Sequence, residues 1–347
     1  MVENPISAQK LSELCTRLLE AEGVPSQDAA FVASTLVEAD LRGVHSHGVL
    51  RLGRYVRELG SGLTNVNPTI AVLDEGAAYA RIDGDGGLGP LVGRRGMGLA
   101  IDKARTAGSA TVTACRSRHF GAAGFFSLMA SQQDLIGISM TVASSRLAPT
   151  GGLKPLFGNN PLAMAVPGDQ DFPLVVDFAA GNIAAGKLEL AAADDQPIAE
   201  GLARDSEGHP TTDPKVALKG SIVPIGEHKG YGLTVFIELL AGLLSGAPHF
   251  AVERDQIADH MHTKGIGHCF MAIDPARFMP LEQFKASVAH MVAITKSSPA
   301  LPGTDEILLP GEKEARCRSE RLQNGIPLVP STLAMLASLA QQRDIDF

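Results

Sequence analysis

The chain has 347 residues, 45% hydrophobic and 20% charged, with a net charge of -8. That length gives one large or two ordinary domains with ample core, and the composition excludes a disordered chain. The acidic balance, the lack of any basic stripe and the absence of tryptophan argue against a nucleic-acid partner.

Ser7 can cap a first helix whose Leu11, Leu14, Leu18 and Leu19 form one apolar stripe ending near Gly23. A second helix starts around Ser26, carries Ala29, Val32, Ala33, Leu36 and Val37 on its face, and runs to Arg42-Gly43. From about residue 70 the pattern changes. Ala78–Ile82 reads as a strand, a glycine-rich turn follows, and a helix runs through Met97, Leu99, Ala100 and Ala104. Further strands fall at Ala110–Cys115, Ile136–Met140 and Leu174–Phe178, giving an α/β pattern. The tail from Glu312 is charged and then apolar at Leu333, Met335, Leu336 and Leu339, as closing helices require. The expected organisation is a helical segment over 1–70 packed with 312–347, and an α/β region over 71–311. Cys15, Cys115, Cys269 and Cys317 make no CxxC pair. With no signal segment or membrane-length apolar run, the expectation is a cytoplasmic protein with reduced thiols and no membrane contact.

The segment Gly84-Asp85-Gly86-Gly87-Leu88-Gly89 fits the GxGxxG pattern of dinucleotide-binding turns. A ribose-binding acid should then end the next strand, but that strand ends at Cys115-Arg116. Asp83 and Asp85 would also repel a pyrophosphate. A plain glycine-rich turn is the better reading.

The chemistry-bearing stretch is Val44-His45-Ser46-His47-Gly48-Val49-Leu50-Arg51. Histidine moves protons near neutral pH, and arginine holds carboxylates by a bidentate pair. If the stretch is helical, His47 and Arg51 share a face at i and i+4. From those two residues alone, a pair of solvated helix positions is the simpler account. His45 and His47 form a His-x-His pair, but with no acidic ligand in view zinc is not expected, and His260 and His262 read as solvated loop residues. No metal is expected.

Ser46-His47-Gly48, Arg118-His119-Phe120-Gly121-Ala122-Ala123-Gly124, Phe157-Gly158-Asn159-Asn160-Pro161, Val176-Asp177-Phe178-Ala179, His228-Lys229-Gly230-Tyr231-Gly232-Leu233 and Pro310-Gly311-Glu312 occur in that order. Together they resemble the malate/L-lactate dehydrogenase family, which is unrelated to the Rossmann-type lactate and malate dehydrogenases. It includes ureidoglycolate and sulfolactate dehydrogenases, diketogulonate reductase and cyclic-imine reductases acting on piperideine- and pyrroline-2-carboxylate. The resemblance spans nearly the whole chain. It implies a non-Rossmann nicotinamide-binding α/β fold, NAD or NADP as cofactor, a small carboxylate substrate and a homodimer.

By that resemblance His47 matches the proton donor, with Ser46 orienting it or relaying a proton, and Arg51 anchors the substrate carboxylate. His119 competes as acid/base or orients substrate. Asp177, Phe178 and Ala179 match a cofactor-contacting run, Lys229 a phosphate contact, and Gly311 and Glu312 a segment near the nucleotide end. Lys187 stands where the imine reductases carry an acid. A lysine there can polarise a carbonyl or hold a second carboxylate, which favours 2-oxo acids; a solvent-facing lysine is the competing account. Asn159, matched to the substrate side, puts an amide where many relatives have the Thr or Ser hydroxyl near substrate, and Ala143 replaces a serine that meets cofactor in some. The leading expectation is hydride transfer at C2 of a malate- or lactate-like acid. A cyclic-imine reductase and a non-catalytic carboxylate- or dinucleotide-binding relative stand as alternatives.

Overall fold

The computed structural model describes residues 5–247 and 265–347. His260 and His262 lie outside the described residues. Helix α1 (Ala8–Glu20) starts where the Ser7 hydroxyl accepts the Lys10 amide, and α2 (Ser26–Leu41) follows Pro25. The apolar faces of both helices join α3 (Leu52–Gly60) in one core. Ile326, Leu328, Leu336 and Ala340, the last two on a helix running Pro330–Gln341, close that core, and a bridge pairs Ile6 with Ile326.

Among the described residues the larger sheet has seven strands. They are β1 (Ala71–Glu75), β2 (Tyr79–Asp83), β3 (Ser109–Ser117), β4 (Ile136–Thr141), β7 (Pro161–Val166), β8 (Leu174–Ala179) and β12 (Ile266–Ile273), in the order β1-β2-β3-β12-β4-β7-β8. Helices α4 (Gly89–Ala107) and α5 (Ala123–Ser131) cover one face, where Val92, Met97, Phe126 and Phe270 share a core. The intervening short strands are β5 (Ser145–Leu147), β6 (Phe157–Gly158), β9 (Ala203–Arg204), β10 (Pro210–Thr211) and β11 (Ser221–Ile222). They form a smaller sheet in the order β10-β9-β11-β5-β6. Beside it pack α6 (Ala185–Ala193) through Leu188, α7 (Pro214–Ala217) through Ala217, and α8 (His228–Ile237) through Tyr231 and Val235.

The strand and helix pattern read from sequence therefore holds, but the alternation hides the pairing. Only β2 and β3 pair in parallel in the larger sheet, among the described residues; β12 inserts antiparallel between β3 and β4. That mixed order differs from a doubly wound parallel sheet. The glycine turn at 84–89 is tied into the surrounding structure. Arg116 bonds Asp83 at 2.8 Å and Asp85 at 3.0 Å, and Asp85 also accepts the Asn65 amide and the Thr69 backbone N–H.

Candidate active site

The His45–Arg51 stretch is two short 3-10 turns, His45–His47 and Val49–Arg51, separated by Gly48 with extended backbone. The shared helix face expected for His47 and Arg51 does not exist. Their proximity comes from the bend, and its anchor is Asp40 at the end of α2. The Asp40 carboxylate, 1% exposed, accepts from His45 Nδ1 at 2.7 Å and from the Val49 N–H at 2.7 Å, so both ends of the bend hang from one group. A Cβ on Gly48 would sit 2.2 Å from that carboxylate, which is why the position is glycine. Arg321, on a helix over Glu312–Asn324, faces His45 Nε2 at 3.0 Å. His45 thus has an acidic neighbour, contrary to the sequence reading. Among the described residues, no three of His, Cys, Asp or Glu gather as a metal site would.

The bend brings Ser46 Oγ to 2.9 Å from His47 Nδ1, while Arg51 Nε donates to the Ser46 carbonyl at 2.6 Å. Burial lowers His47 to about 4, with the Arg51 charge as the second cause, so the ring is a neutral base at pH 7. Burial likewise lowers Arg51.

His119 arrives from the other side, just beyond β3. Its ring stacks near-parallel on His47, with centroids 5.6 Å apart and an 18° tilt. The Tyr55 hydroxyl on α3 lies 2.9 Å from His119 Nδ1 and 3.1 Å from its carbonyl, and the Gly121 N–H donates to Nδ1 at 3.3 Å. Burial, followed by the charge of His47, holds His119 well below the ordinary histidine value. Beneath it, Phe120 stacks on His268 at 4.5 Å and 5°. His268 is fully buried, bonded to Thr141 and Ser117 at 2.7 Å each, and burial lowers it to about 3.

Lys187 sits exposed in the first turn of α6. Its neighbour Gly186 packs so tightly on the site that a Cβ there would lie 2.8 Å from Arg51 Nη2 and 3.7 Å from Ser46 Cβ. Asn159 is buried, accepting from the Gly181 N–H at 2.7 Å and donating to the Ile183 carbonyl at 2.9 Å. Its amide braces the approach to α6 through those two bonds.

The candidate cofactor residues gather along β8. Asp177 is exposed but hemmed in by protein. That crowding raises its carboxyl to about 6, against the Gly124 N–H that donates to it at 2.7 Å. Phe178 and Ala179 are half-buried on a strand at the end of the sheet order. Gly230 lies tight against the Ala180 carbonyl, which sets exposed Lys229, in the first turn of α8, beside the end of β8. Gly311, in a left-handed conformation, abuts Pro173 and Val175. Glu312 is spent internally: Lys296, the Leu309 N–H and Arg316 all bond its carboxylate. They hold it below the usual carboxylate range although burial pulls the other way. A strand at the edge of the described sheet, a lysine at a helix N-terminus and small residues at 121–124 fit a nucleotide's amides and phosphates.

Sequence reasoning missed Asp40, Tyr55 and His268. Tyr55 lies four residues after Arg51, on the helix that begins at Leu52, a signal that was available. Asp40 and His268 act through tertiary contacts that no local pattern announces.

These features make up a candidate dehydrogenase site, with a histidine kept neutral by burial, an arginine beside it and a strand end next to a lysine at a helix N-terminus. The malate/L-lactate dehydrogenase family profile matches residues 6–337, and the chain belongs to that family. It is 40% identical to a malate dehydrogenase of Pyrococcus horikoshii, covering 98% of this chain and 96% of that protein. The solved structure of that enzyme superposes with a TM-score of 0.90, covering 99% of this chain and 96% of that one. An L-sulfolactate dehydrogenase of Methanocaldococcus jannaschii is 40% identical over 92% of this chain and 91% of its own length. A ureidoglycolate dehydrogenase (NAD(+)) of Escherichia coli K12 is 32% identical, covering 96% and 95%. The chain is accordingly a nicotinamide-dependent oxidoreductase of the hydroxy-acid dehydrogenase type. Among the described residues no helix is long and apolar enough to cross a membrane.

Proposed function

We propose that the protein interconverts a small 2-hydroxy acid of the malate or lactate class and its 2-oxo acid. The observation that carries this reading is the cluster of Ser46, His47 and His119 beside the Arg51 guanidinium. When bound, a nicotinamide would supply the hydride chemistry at C2. Arg51 pairs with the substrate carboxylate and thereby fixes C2. His47, neutral at pH 7, takes the hydroxyl proton at Nε2 as the C=O bond forms, with Ser46 orienting the ring through Nδ1. Lys187, in the first turn of α6 next to the Gly186 that packs on Arg51, offers a second anchor for a dicarboxylate. Asp177, Phe178, Ala179, Lys229 and Gly311 form the cofactor side, and the functional unit is a homodimer.

The test follows NADH and NADPH absorbance with oxaloacetate, pyruvate, sulfopyruvate and pyrroline-2-carboxylate. Oxidation of cofactor by a 2-oxo acid is the expected result, and it identifies the preferred nucleotide. Turnover with the cyclic imine alone overturns the substrate class. His47→Ala should cut kcat by about a thousandfold. Undiminished turnover in that variant, with loss in His119→Ala, would reverse the acid/base assignment.

A further inference from the structure

We propose that Tyr55 and Gly121 lock His119 in its Nε2–H form, so that His119 is a fixed donor to the substrate's C2 oxygen while His47 alone carries the proton. This rests on the 2-hydroxy acid reading above. One backbone group decides the tautomer. The Gly121 N–H can only donate, and it points at His119 Nδ1 from 3.3 Å. A proton on Nδ1 would set two N–H groups against each other and leave a buried backbone donor without an acceptor, a cost of the kind folded chains avoid. With Nδ1 unprotonated, its lone pair receives Gly121, and the Tyr55 hydroxyl turns to Nδ1 at 2.9 Å or to the His119 carbonyl at 3.1 Å. The geometry of the loop requires glycine here, because Gly121 has φ +84°.

The neutral ring's single proton is then on Nε2, for which no partner is present among the described residues. His47 has the complementary requirement. To accept a proton at Nε2 it must carry its own on Nδ1, where Ser46 Oγ lies 2.9 Å away to receive it. The two stacked rings are therefore opposite tautomers, one with a lone pair and one with an N–H facing the reacting group. In oxidation the hydroxyl proton passes to His47, the C2–H electron pair leaves as hydride to the oxidised nicotinamide, and the oxygen lone pair becomes the C=O π bond. His119 donates to that oxygen throughout and exchanges no proton with it. Tyr55 is a positioning residue that acts through His119.

The experiment is a long-range 1H–15N spectrum of the histidine-labelled full-length protein, with His119→Gln as the assignment control. The expected result is an Nε2–H pattern for His119, unchanged between pH 6 and 8. An Nδ1–H pattern or an imidazolium overturns the proposal. The spectrum needs no substrate, so its outcome is independent of the substrate class. A glutamine Nε2 can stand in for the imidazole Nε2–H donor but cannot act as a base. His119→Gln should keep kcat within about tenfold of the parent while His119→Ala loses about a hundredfold or more. If a stably folded His119→Gln is as inactive as His119→Ala, His119 is a base and the proposal fails. Tyr55→Phe should lower kcat about fivefold with little change in KM and should admit some Nδ1–H signal. An unchanged spectrum and rate in that variant remove Tyr55 from the assignment.

Discussion

The two histidines meet at one point but are held there by different physics. His47 rides on a bend suspended from the Asp40 carboxylate, a charged group that grips one backbone N–H and one imidazole. His119 rides on a loop wedged by volume, with Phe120 stacked on His268 below and packed near Phe126 and Phe270. The first support is directional and should be sensitive to which atoms donate. The second is non-directional and should be sensitive to how much space is filled. The backbone under one ring is thus held by chemistry and the loop under the other by shape, while Tyr55 and Gly121 orient the His119 ring itself.

The comparison can be broken most severely at Phe120. Phe120→Ala should destabilise the fold by about 3–5 kcal/mol, because a buried aromatic leaves a void under the loop; urea unfolding measures it. A milder loss would mean that the loop is held by Tyr55 instead of by packing. Asp40→Asn keeps volume but places an NH2 where a carboxylate oxygen accepted. It should lower kcat about tenfold with a smaller change in stability, through loss of one or both anchoring bonds. If stability falls while kcat per folded molecule is unchanged, Asp40 serves the fold alone.

The most gradual effect is that of pH. His47 and His268 are lowered to about 4 and about 3, and His119 is also lowered. Below pH 6.5 the unfolded chain binds protons that the folded chain refuses, so stability falls as pH drops and is level above that point. Thermal unfolding across pH 4 to 8 should show that slope, and His268→Gln should flatten it. A Tm constant from pH 6.5 to 4 would show that these rings are accessible to protons in the native state.

Much of the fold is legible in the chain. The Ser7 cap, the apolar stripes of α1 and α2 and the strands at 79–83, 109–117, 136–141 and 174–179 follow from local periodicity and capping, which act over a few residues. The motifs holding Ser46, His47 and His119 are likewise local, and the family resemblance supplies their order. What escapes local reading is whatever depends on partners far along the chain. The insertion of β12 is one case, and the link from Tyr55 to His119 another. The break at Gly48 escaped for a different reason: an i and i+4 spacing suits a helix, but a buried carboxylate nine residues before Val49 redirects the backbone. Glu312 adds a further layer, since its motif position carries no hint that Lys296, the Leu309 N–H and Arg316 all bond its carboxylate.

The placement of β12 also governs how the protein can be made. Residues 266–273 fill the gap between β3 and β4, strands that leave the ribosome well over a hundred residues earlier. Until that late segment emerges, the nascent sheet carries two open edges facing each other across an empty lane. Such edges recruit foreign strands, and pairings between distant segments form slowly. Translation arrested before residue 266 would therefore release a chain prone to self-association, even though every residue of Ser46, His47, Arg51 and His119 is already present in it.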